Sequence, residues 1–402
     1  MQHITHSITA DSPGTSISLS LYHFAPAADQ NRTEQQKTYQ PKIYLPKVYL
    51  QAGLHADEHP GVMILHHLLN HLEHAEKQGR LAAEFIIAPV VNPLGLAHLQ
   101  FHSHRGRYHP LNGLNYNRDW PDLDALLWQQ AGDLSSELGS DPAANKAFIR
   151  QKLADILQAQ DGDHPGKGAL AELRHLITRI VIDCDMVLDL HCDDAALNHL
   201  YMVPQLWPDA SDLSAFMGAE ASFLEEDSGG GSFDEVWPGL WLKLARRYPE
   251  ASWPELPVSA TLEYRGQADV SDALGAADAH HLLQFFEARG LIEPEAGEPA
   301  QPPALLAPAT ALKAAEFLRC PYAGLLAYQV ELGDMVQKGD VVAELIQLDG
   351  PEAARGRLPI KAGTSGKIIA LKAHKYIWPG ESIAKIAGSE VLASRTGRLL
   401  DD

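Results

Sequence analysis

A buried strand, a helix and a second buried strand follow one another between residues 48 and 91. Residues 48–50 form a short apolar run, Pro60 opens a helical pattern of apolar residues, and residues 84–91 are again largely apolar. Proline suits the first turn of a helix, where its missing N–H leaves no hydrogen bond unmade. This succession of strand, helix and strand predicts an α/β sheet.

The same periodicities predict the other elements of a catalytic domain over residues 1–292. These are edge strands around a solvated loop over 1–45, a helical insertion over about 122–180, strands over 186–190 and 258–263, and a closing helix over about 273–289. The predicted fold class is therefore α/β, with a mixed sheet flanked by helices.

The last quarter of the chain differs in composition and in residue pattern. Residues 293–308 are rich in proline, alanine and glutamate, which is typical of a linker. Residues 309–402 show short strands between glycine turns in two similar halves, which predicts a smaller all-β domain of the barrel-sandwich type. The spacing over 336–340 resembles biotinyl and lipoyl domains, but the lysine hairpin that carries their cofactor is missing. We therefore expect this domain to be structural or to shape access to a site.

The charge of the chain excludes several classes of partner. Among 402 residues, 32 Lys and Arg stand against 52 Asp and Glu, a net charge of −20. Such a chain is repelled by nucleic acid and by anionic membranes. Three cysteines are too few for a disulfide framework, and no signal peptide or long apolar run is seen. We expect a cytoplasmic protein, compatible with a homo-oligomer, that acts on a small molecule.

Two histidines and a glutamate are candidate metal ligands. His55 and Glu58 lie three residues apart on the predicted turn from strand to helix, and His191 follows the strand 186–190. Residues just past the carboxyl ends of strands converge on one crevice in α/β sheets. Catalytic zinc usually has three protein ligands of these types, so the pattern predicts one zinc ion per chain.

An alternative uses His59 instead. Residues 55–59 read His-Ala-Asp-Glu-His, which matches the H-x-x-E-H motif of inverted zincins. That motif needs both histidines on one face of a helix. Because Gly53 precedes the five residues and Pro60 follows them, we predict that they lie before the helix and that His59 is not a ligand.

Three further side chains have chemistry that suits such a site. Arg118 can hold a substrate carboxylate through two hydrogen bonds, and Asn117 can add another. Glu263, at the end of the strand 258–263, is a candidate general base. One arginine of the cationic stretch 101–108 could stabilise an oxyanion.

Four motifs together resemble the succinylglutamate desuccinylase/aspartoacylase family of zinc carboxypeptidase-like hydrolases. They are Gly-Leu-His-Ala-Asp-Glu at 53–58, Asn-Tyr-Asn-Arg-Asp-Trp at 115–120, Asp-Leu-His at 189–191 and Thr-Leu-Glu at 261–263. The resemblance covers about residues 45–290, and it implies a zinc-carboxypeptidase-like fold with a trailing β-domain.

The resemblance also implies a role for each matching residue. His55, Glu58 and His191 would be zinc ligands and Glu263 the general base, while Asn117 and Arg118 would bind the substrate carboxylate. Arg107, or else Arg105, would polarise the scissile carbonyl; the sequence before Asn117 does not align cleanly with the family.

The expected activity is hydrolysis of the amide bond in an N-acyl amino acid or a similar small carboxylate. One alternative is a carboxypeptidase on the same scaffold, which removes a C-terminal residue from a peptide. Another is a non-catalytic binding protein that kept the fold. A broken ligand set or a missing base would mark the latter, and all four positions are intact.

Overall fold

The computed structural model describes residues 1–12, 14–26, 45–161, 168–349 and 356–400. The solvated loop predicted within residues 1–45 lies largely outside these ranges. No helix in the described part of the chain is long and apolar enough to cross a membrane.

Nine of the strands in the described ranges form one mixed sheet in the order β1-β2-β4-β3-β7-β11-β9-β10-β12. β4, β3, β7 and β11 run parallel at its centre, and β1 and β2 form an antiparallel edge. The first twelve strands are β1 (Gln2–Thr9), β2 (Ser16–Phe24), β3 (Lys47–Ala52), β4 (Glu84–Ala88), β5 (Leu99–Gln100), β6 (Ser103–His104), β7 (Met186–Asp193), β8 (Ala195–Ala196), β9 (His199–Met202), β10 (Ala221–Leu224), β11 (Val258–Gly266) and β12 (Thr310–Ala311).

Helices cover both faces of this sheet. They are α1 (Pro60–Lys77), α2 (Pro93–Leu96), α3 (Leu123–Ala131), α4 (Pro142–Ala159), α5 (Ala169–Val181), α6 (Trp207–Met217), α7 (Phe233–Arg247) and α8 (Asp272–Ala288). The apolar faces of α1, α6 and α8 pack in one core, and those of α3, α4, α5 and α7 pack in a second core. The stretch over about 122–180, which the sequence predicts as a helical insertion, contains α3, α4 and α5, and these helices supply part of the second core.

The all-β prediction for the last part of the chain is also confirmed. Two antiparallel sheets lie there, in the orders β13-β20-β18-β15 and β17-β16-β14-β19. Their strands are β13 (Ala315–Arg319), β14 (Gly324–Tyr328), β15 (Met335–Val336), β16 (Val341–Ile346), β17 (Arg357–Lys361), β18 (Gly366–Leu371), β19 (Tyr376–Ile377) and β20 (Ser382–Gly388).

Backbone pairing joins these sheets to the first part of the chain. β8 pairs with β18, and β12 extends the large sheet beside β10. The predicted boundary at 308–309 therefore lies just before a strand that belongs to the large sheet. This pairing places β18 and β20 beside the carboxyl ends of the central strands.

Two strands extend further than the sequence indicates. β7 continues two residues beyond His191, and β11 continues beyond Glu263 through an irregularity before Gly266. The apolar pattern does not predict these extensions, because the residues at the carboxyl ends of the strands include polar ones. His191 and Glu263 are direct cross-strand neighbours in this register.

Candidate active site

His55 and Glu58 lie on the tight turn between β3 and α1. Gly53 starts this turn with a φ of +67°, a conformation that favours glycine. The amide of Glu58 donates to the carbonyl of His55 at 3.0 Å, and the amide of Ala56 donates to the carbonyl of Gly106 at 3.0 Å. A Cβ atom on Gly106 would lie 2.4 Å from the backbone nitrogen of Asp57, so a glycine is needed for this close approach.

The turn brings both residues to His191 of β7. The Glu58 carboxylate lies between the histidines, with Oε1 2.9 Å from Nδ1 of His55 and Oε2 2.8 Å from Nδ1 of His191. All three side chains are buried, and one ligand atom from each lies within 4.8 Å of the others. The structure thus brings the three predicted ligands together.

The remaining ring nitrogens show which atoms face this centre. Nε2 of His55 donates to Oδ1 of Asn115 at 2.8 Å, and Nε2 of His191 donates to Oδ2 of Asp189 at 2.9 Å. Both Nδ1 atoms therefore point at the Glu58 carboxylate. Histidine ligands are commonly held in this way, with the second ring N–H bound to a carboxylate or carbonyl oxygen.

The electrostatics of the group favour a cation. Burial opposes ionisation of Glu58, but the two histidines outweigh it and hold the pKa of this carboxyl well below its ordinary value. Burial lowers the pKa of His191, but the charges of Asp189 and Glu58 outweigh it and raise this pKa well above its ordinary value. The centre therefore attracts positive charge, either a proton or a metal ion. Two imidazoles and a carboxylate are donors that suit zinc.

Asp189 should control the affinity of this centre for metal. Its side chain is fully buried, and its contact with Nε2 fixes the orientation of the His191 ring. We expect Asp189→Asn to weaken zinc binding about 10- to 100-fold, the usual effect of losing such a partner. Titration of the purified variant with zinc in a metal buffer measures this. An affinity equal to that of the wild type would contradict the assignment.

Arg107 lies beside this centre and Arg105 does not. Nη1 of Arg107 donates to Oε1 of Glu58 at 3.1 Å and faces Nδ1 of His55 at 3.1 Å. Arg105 is exposed and lines a neighbouring cavity with His98 and His104. Of the two arginines that the sequence left open, the structure places Arg107 where a scissile carbonyl could be polarised.

A glycine-rich loop holds Asn117 and Arg118 in place. The amides of Asp119 and Trp120 donate to the carbonyls of Gly230 and Gly231, each at 3.0 Å. A Cβ atom on Gly230 would lie 2.8 Å from Cδ of Arg118, so the arginine stem fits only because Gly230 has no side chain. The glycine-rich loop 229–232 thus packs against this motif.

Asn117 is held by the start of α7. Its Oδ1 accepts a hydrogen bond from the amide of Phe233 at 2.8 Å, so its Nδ2 is the atom that could contact a substrate. The side chain of Arg118 is buried, and Nη1 donates to the carbonyl of Asn117 at 2.7 Å. These contacts fix the direction of both side chains.

Glu263 lies beside the His-Glu-His group, where it is the cross-strand neighbour of His191. Its Oε2 is buried and has no hydrogen-bond partner among the described residues. Burial and then the charge of Glu58 raise the pKa of Glu263 to about 8. A cation held by Glu58 and the histidines would counteract this shift. A carboxyl group whose pKa is raised by burial and lowered again by a nearby cation can exchange a proton near neutral pH.

All seven predicted site residues line one cavity of about 670 Å³. They are His55, Glu58, Arg107, Asn117, Arg118, His191 and Glu263. The opposite wall comes from the C-terminal sheets, including Leu371 and Lys372 at the end of β18 and Ser382 to Lys385 of β20. The cavity therefore lies between the large sheet and the β-domain.

His59 does not line this cavity. It occupies the N-cap position of α1 without a capping hydrogen bond from its side chain, and its Nε2 lies 3.2 Å from Nδ1 of His104. Residues 55–59 lie before the helix, as predicted, so the two histidines of the H-x-x-E-H pattern do not share a helical face. The geometry does not support the inverted zincin alternative.

The residues that support this site were not predicted from the sequence. Asp189 precedes His191 by two residues on a strand, so alternation alone places both on the same face. Asn115 belongs to the motif at 115–120, but nothing in the sequence links its side chain to His55. Tyr201 and Lys385 also line the cavity, but no pattern in the sequence indicates that they belong to the site.

The fold and the site define an α/β protein with a buried His-Glu-His group at the carboxyl ends of its central strands. Residues 44–236 match the family model of the succinylglutamate desuccinylase/aspartoacylase catalytic domain. The match confirms, over these residues, the resemblance to this family of hydrolases that the sequence shows. No curated protein matches the sequence.

Solved structures show the same fold at low sequence identity. A protein assigned to the succinylglutamate desuccinylases/aspartoacylases from Shewanella frigidimarina has 22% identity and a TM-score of 0.74, with 96% of this chain and 97% of that chain covered. A protein assigned to the same family from Shewanella amazonensis has 22% sequence identity and a TM-score of 0.74, with 96% of this chain and 98% of that chain covered. The product-bound ectoine utilization protein EutE (DoeB) from Ruegeria pomeroyi has 16% sequence identity and a TM-score of 0.60, with 96% of this chain and 95% of that chain covered. The fold thus extends over the β-domain.

Proposed function

We propose that the protein is a zinc-dependent amidohydrolase that cleaves the amide bond of an N-acyl amino acid or a similar small carboxylate. One observation carries the proposal. A buried His-Glu-His group, a buried carboxyl oxygen on Glu263 and the arginines 107 and 118 converge on a single cavity. The match of residues 44–236 to the catalytic domain of a hydrolase family supports it.

The metal part of the proposal rests on the donor set. His55, Glu58 and His191 would hold one zinc ion per chain, which is the number and type of protein ligands usual for catalytic zinc. When bound, zinc supplies Lewis-acid chemistry, since it polarises a carbonyl oxygen and lowers the pKa of water.

The other residues would bind the substrate and move the proton. Arg118 would bind the substrate carboxylate, with Nδ2 of Asn117 as a second donor. Arg107 would donate to the oxygen of the scissile carbonyl as negative charge develops there. Glu263 would take a proton from the attacking water and deliver it to the leaving nitrogen.

A hydrolysis assay on a panel of N-acyl amino acids and short peptides tests the proposal. We expect release of the free amino acid from the N-acyl compounds, loss of activity with a chelator, and recovery when zinc is added back. Activity confined to peptides would favour a carboxypeptidase. Binding of panel compounds without turnover in the zinc-loaded protein would favour a non-catalytic binding protein.

The β-domain favours the deacylase over the carboxypeptidase. Residues of β18 and β20 close one side of the cavity, so its about 670 Å³ suits a small substrate better than a peptide chain. The complete set of ligands and the carboxyl group of Glu263 argue against a binding protein without activity. The acidic charge of the chain supports a small-molecule substrate, and we infer a cytoplasmic location.

Arg118 provides a test of the substrate class. A guanidinium group binds a carboxylate through two parallel hydrogen bonds, which an ammonium group does not reproduce. We expect Arg118→Lys to lower kcat/KM at least about tenfold for an acid substrate, with little effect on its neutral amide. Steady-state kinetics with both compounds measure this. A wild-type enzyme that uses the acid and the amide equally well would contradict the carboxylate assignment.

A further inference from the structure

A buried lysine of the β-domain reaches into the cavity. Lys385 of β20 is 7% exposed, and its Nζ lies 2.7 Å from Oδ2 of Asp193, 3.0 Å from Nε2 of His199 and 2.6 Å from the hydroxyl of Tyr201. An ammonium group has three hydrogens to donate. The three contacts therefore use all of them.

Each partner accepts one of these hydrogen bonds. Nδ1 of His199 donates to the carbonyl of Leu197 at 2.9 Å, so its Nε2 carries the lone pair that faces Lys385. Burial and then the charge of Lys385 lower the pKa of His199 to about 3, which keeps the ring neutral. The carboxylate of Asp193 balances the charge of the ammonium. Lys385 therefore has neither a free hydrogen nor an unpaired charge to offer a substrate.

The hydroxyl of Tyr201 is in a different position. Its oxygen accepts from Lys385, so its own hydrogen must be donated elsewhere, and the described residues provide no acceptor for it. Tyr201 is 8% exposed and lines the cavity. A buried hydroxyl hydrogen without a partner is costly, which indicates that the acceptor enters from the cavity.

The sheet register places Tyr201 relative to the site. β11 lies between β7 and β9, and Glu263 pairs with His191 on one side and with His199 on the other. Tyr201 pairs with Thr261, two residues from Glu263 on the same face. Tyr201 therefore lies across Glu263 from the metal-binding group, where the part of a substrate beyond the scissile bond would extend.

We propose that Tyr201 is a substrate-binding residue whose O–H donates to an uncharged oxygen of the substrate, and that Lys385 is the positioning residue that orients this hydroxyl. An uncharged oxygen suits this position because the donor is a neutral hydroxyl, and Asp193 balances the charge of the Lys385 ammonium beside it. The substrate carboxylate would bind to Arg118 instead. This proposal rests on the proposed function. It adds to the substrate class an uncharged oxygen besides the carboxylate.

The test is Tyr201→Phe, which keeps the ring against Phe223 and removes only the hydroxyl. With the best substrate of the N-acyl amino acid panel, we expect KM to rise about three- to tenfold while kcat stays within about twofold. The dissociation constant of the released amino acid product or of a non-hydrolysed substrate analogue, measured by calorimetry, should show which half of the substrate makes the contact.

Tyr264→Phe is the matched control. This tyrosine lies next to Glu263 on β11 but faces the apolar core on the other side of the sheet. The control should change neither KM nor kcat. Unchanged KM and unchanged binding of both halves of the substrate in Tyr201→Phe would overturn the proposal. A parallel rise in KM in both variants would also overturn it, because the effect would then be structural. Absence of wild-type activity on the whole panel would instead refute the proposed function.

Lys385→Arg tests the positioning role. Arginine keeps the positive charge beside Asp193 and can still donate to the hydroxyl of Tyr201. We expect this variant to retain most of the wild-type substrate affinity, whereas Lys385→Met should raise KM as much as Tyr201→Phe does. Melting temperatures identify a variant that does not fold. A Lys385→Met protein that folds and keeps the wild-type KM would overturn the positioning role.

Discussion

Replacing His191 by alanine should remove bound zinc and with it nearly all hydrolysis of the substrate. His191 supplies one of the three ligand atoms that lie within 4.8 Å of one another, and two protein ligands hold zinc poorly. Metal chemistry of this kind contributes several kcal/mol to the stabilisation of a transition state. We therefore expect kcat/KM to fall at least about a thousandfold. Elemental analysis gives the zinc content per chain, and the panel substrate gives the rate.

His59→Ala is the control for this variant. His59 lies in the same short stretch as two of the proposed ligands, but its ring stacks on His104 at 5.3 Å between centroids and does not line the cavity. This variant should keep one zinc ion per chain and its activity. Full zinc in His191→Ala together with loss of zinc in His59→Ala would reverse the assignment and restore the H-x-x-E-H interpretation.

The positions of the proposed ligands and the proposed base could be predicted because they follow the regular rules of an α/β sheet. His55 and Glu58 lie on a turn that glycine and proline delimit in the sequence. His191 and Glu263 follow apolar runs whose strands are adjacent and parallel. Convergence at the carboxyl ends of the strands is a general property of such sheets. Topology therefore connects residues that lie more than 200 positions apart.

The contacts that depend on packing could not be predicted. The fit of the Arg118 stem against Gly230 joins two loops that share no pattern. Lys385 meets Asp193 across 192 residues, because β18 and β20 are held against the large sheet by the pairing of β8 with β18. An isolated lysine in a β-domain normally lies on the surface, so its burial is visible only in the fold.

Glu263→Gln should retain zinc and bind substrate while kcat falls at least about a hundredfold. Glutamine has nearly the same shape as glutamate, but it cannot exchange a proton at neutral pH. General acid–base catalysis commonly contributes about two to four orders of magnitude. The buried Oε2 atom, which has no partner among the described residues, is the atom that would take the proton from water. Pre-steady-state and steady-state rates on the panel substrate, with zinc analysis of the same sample, measure the effect.

Glu225→Gln is the matched control for this change. Glu225 lines the same cavity, but its carboxylate lies 3.1 Å from Nζ of Lys313, and the residue follows the end of β10, away from the His-Glu-His group. Its loss should alter kcat less than about threefold. The comparison separates proton transfer by Glu263 from a general effect of removing negative charge from the cavity, since both variants lose one carboxylate. A Glu263→Gln enzyme that keeps its zinc and turns over as fast as the Glu225→Gln enzyme would exclude Glu263 as the base. The proton would then have to pass through another group in the cavity.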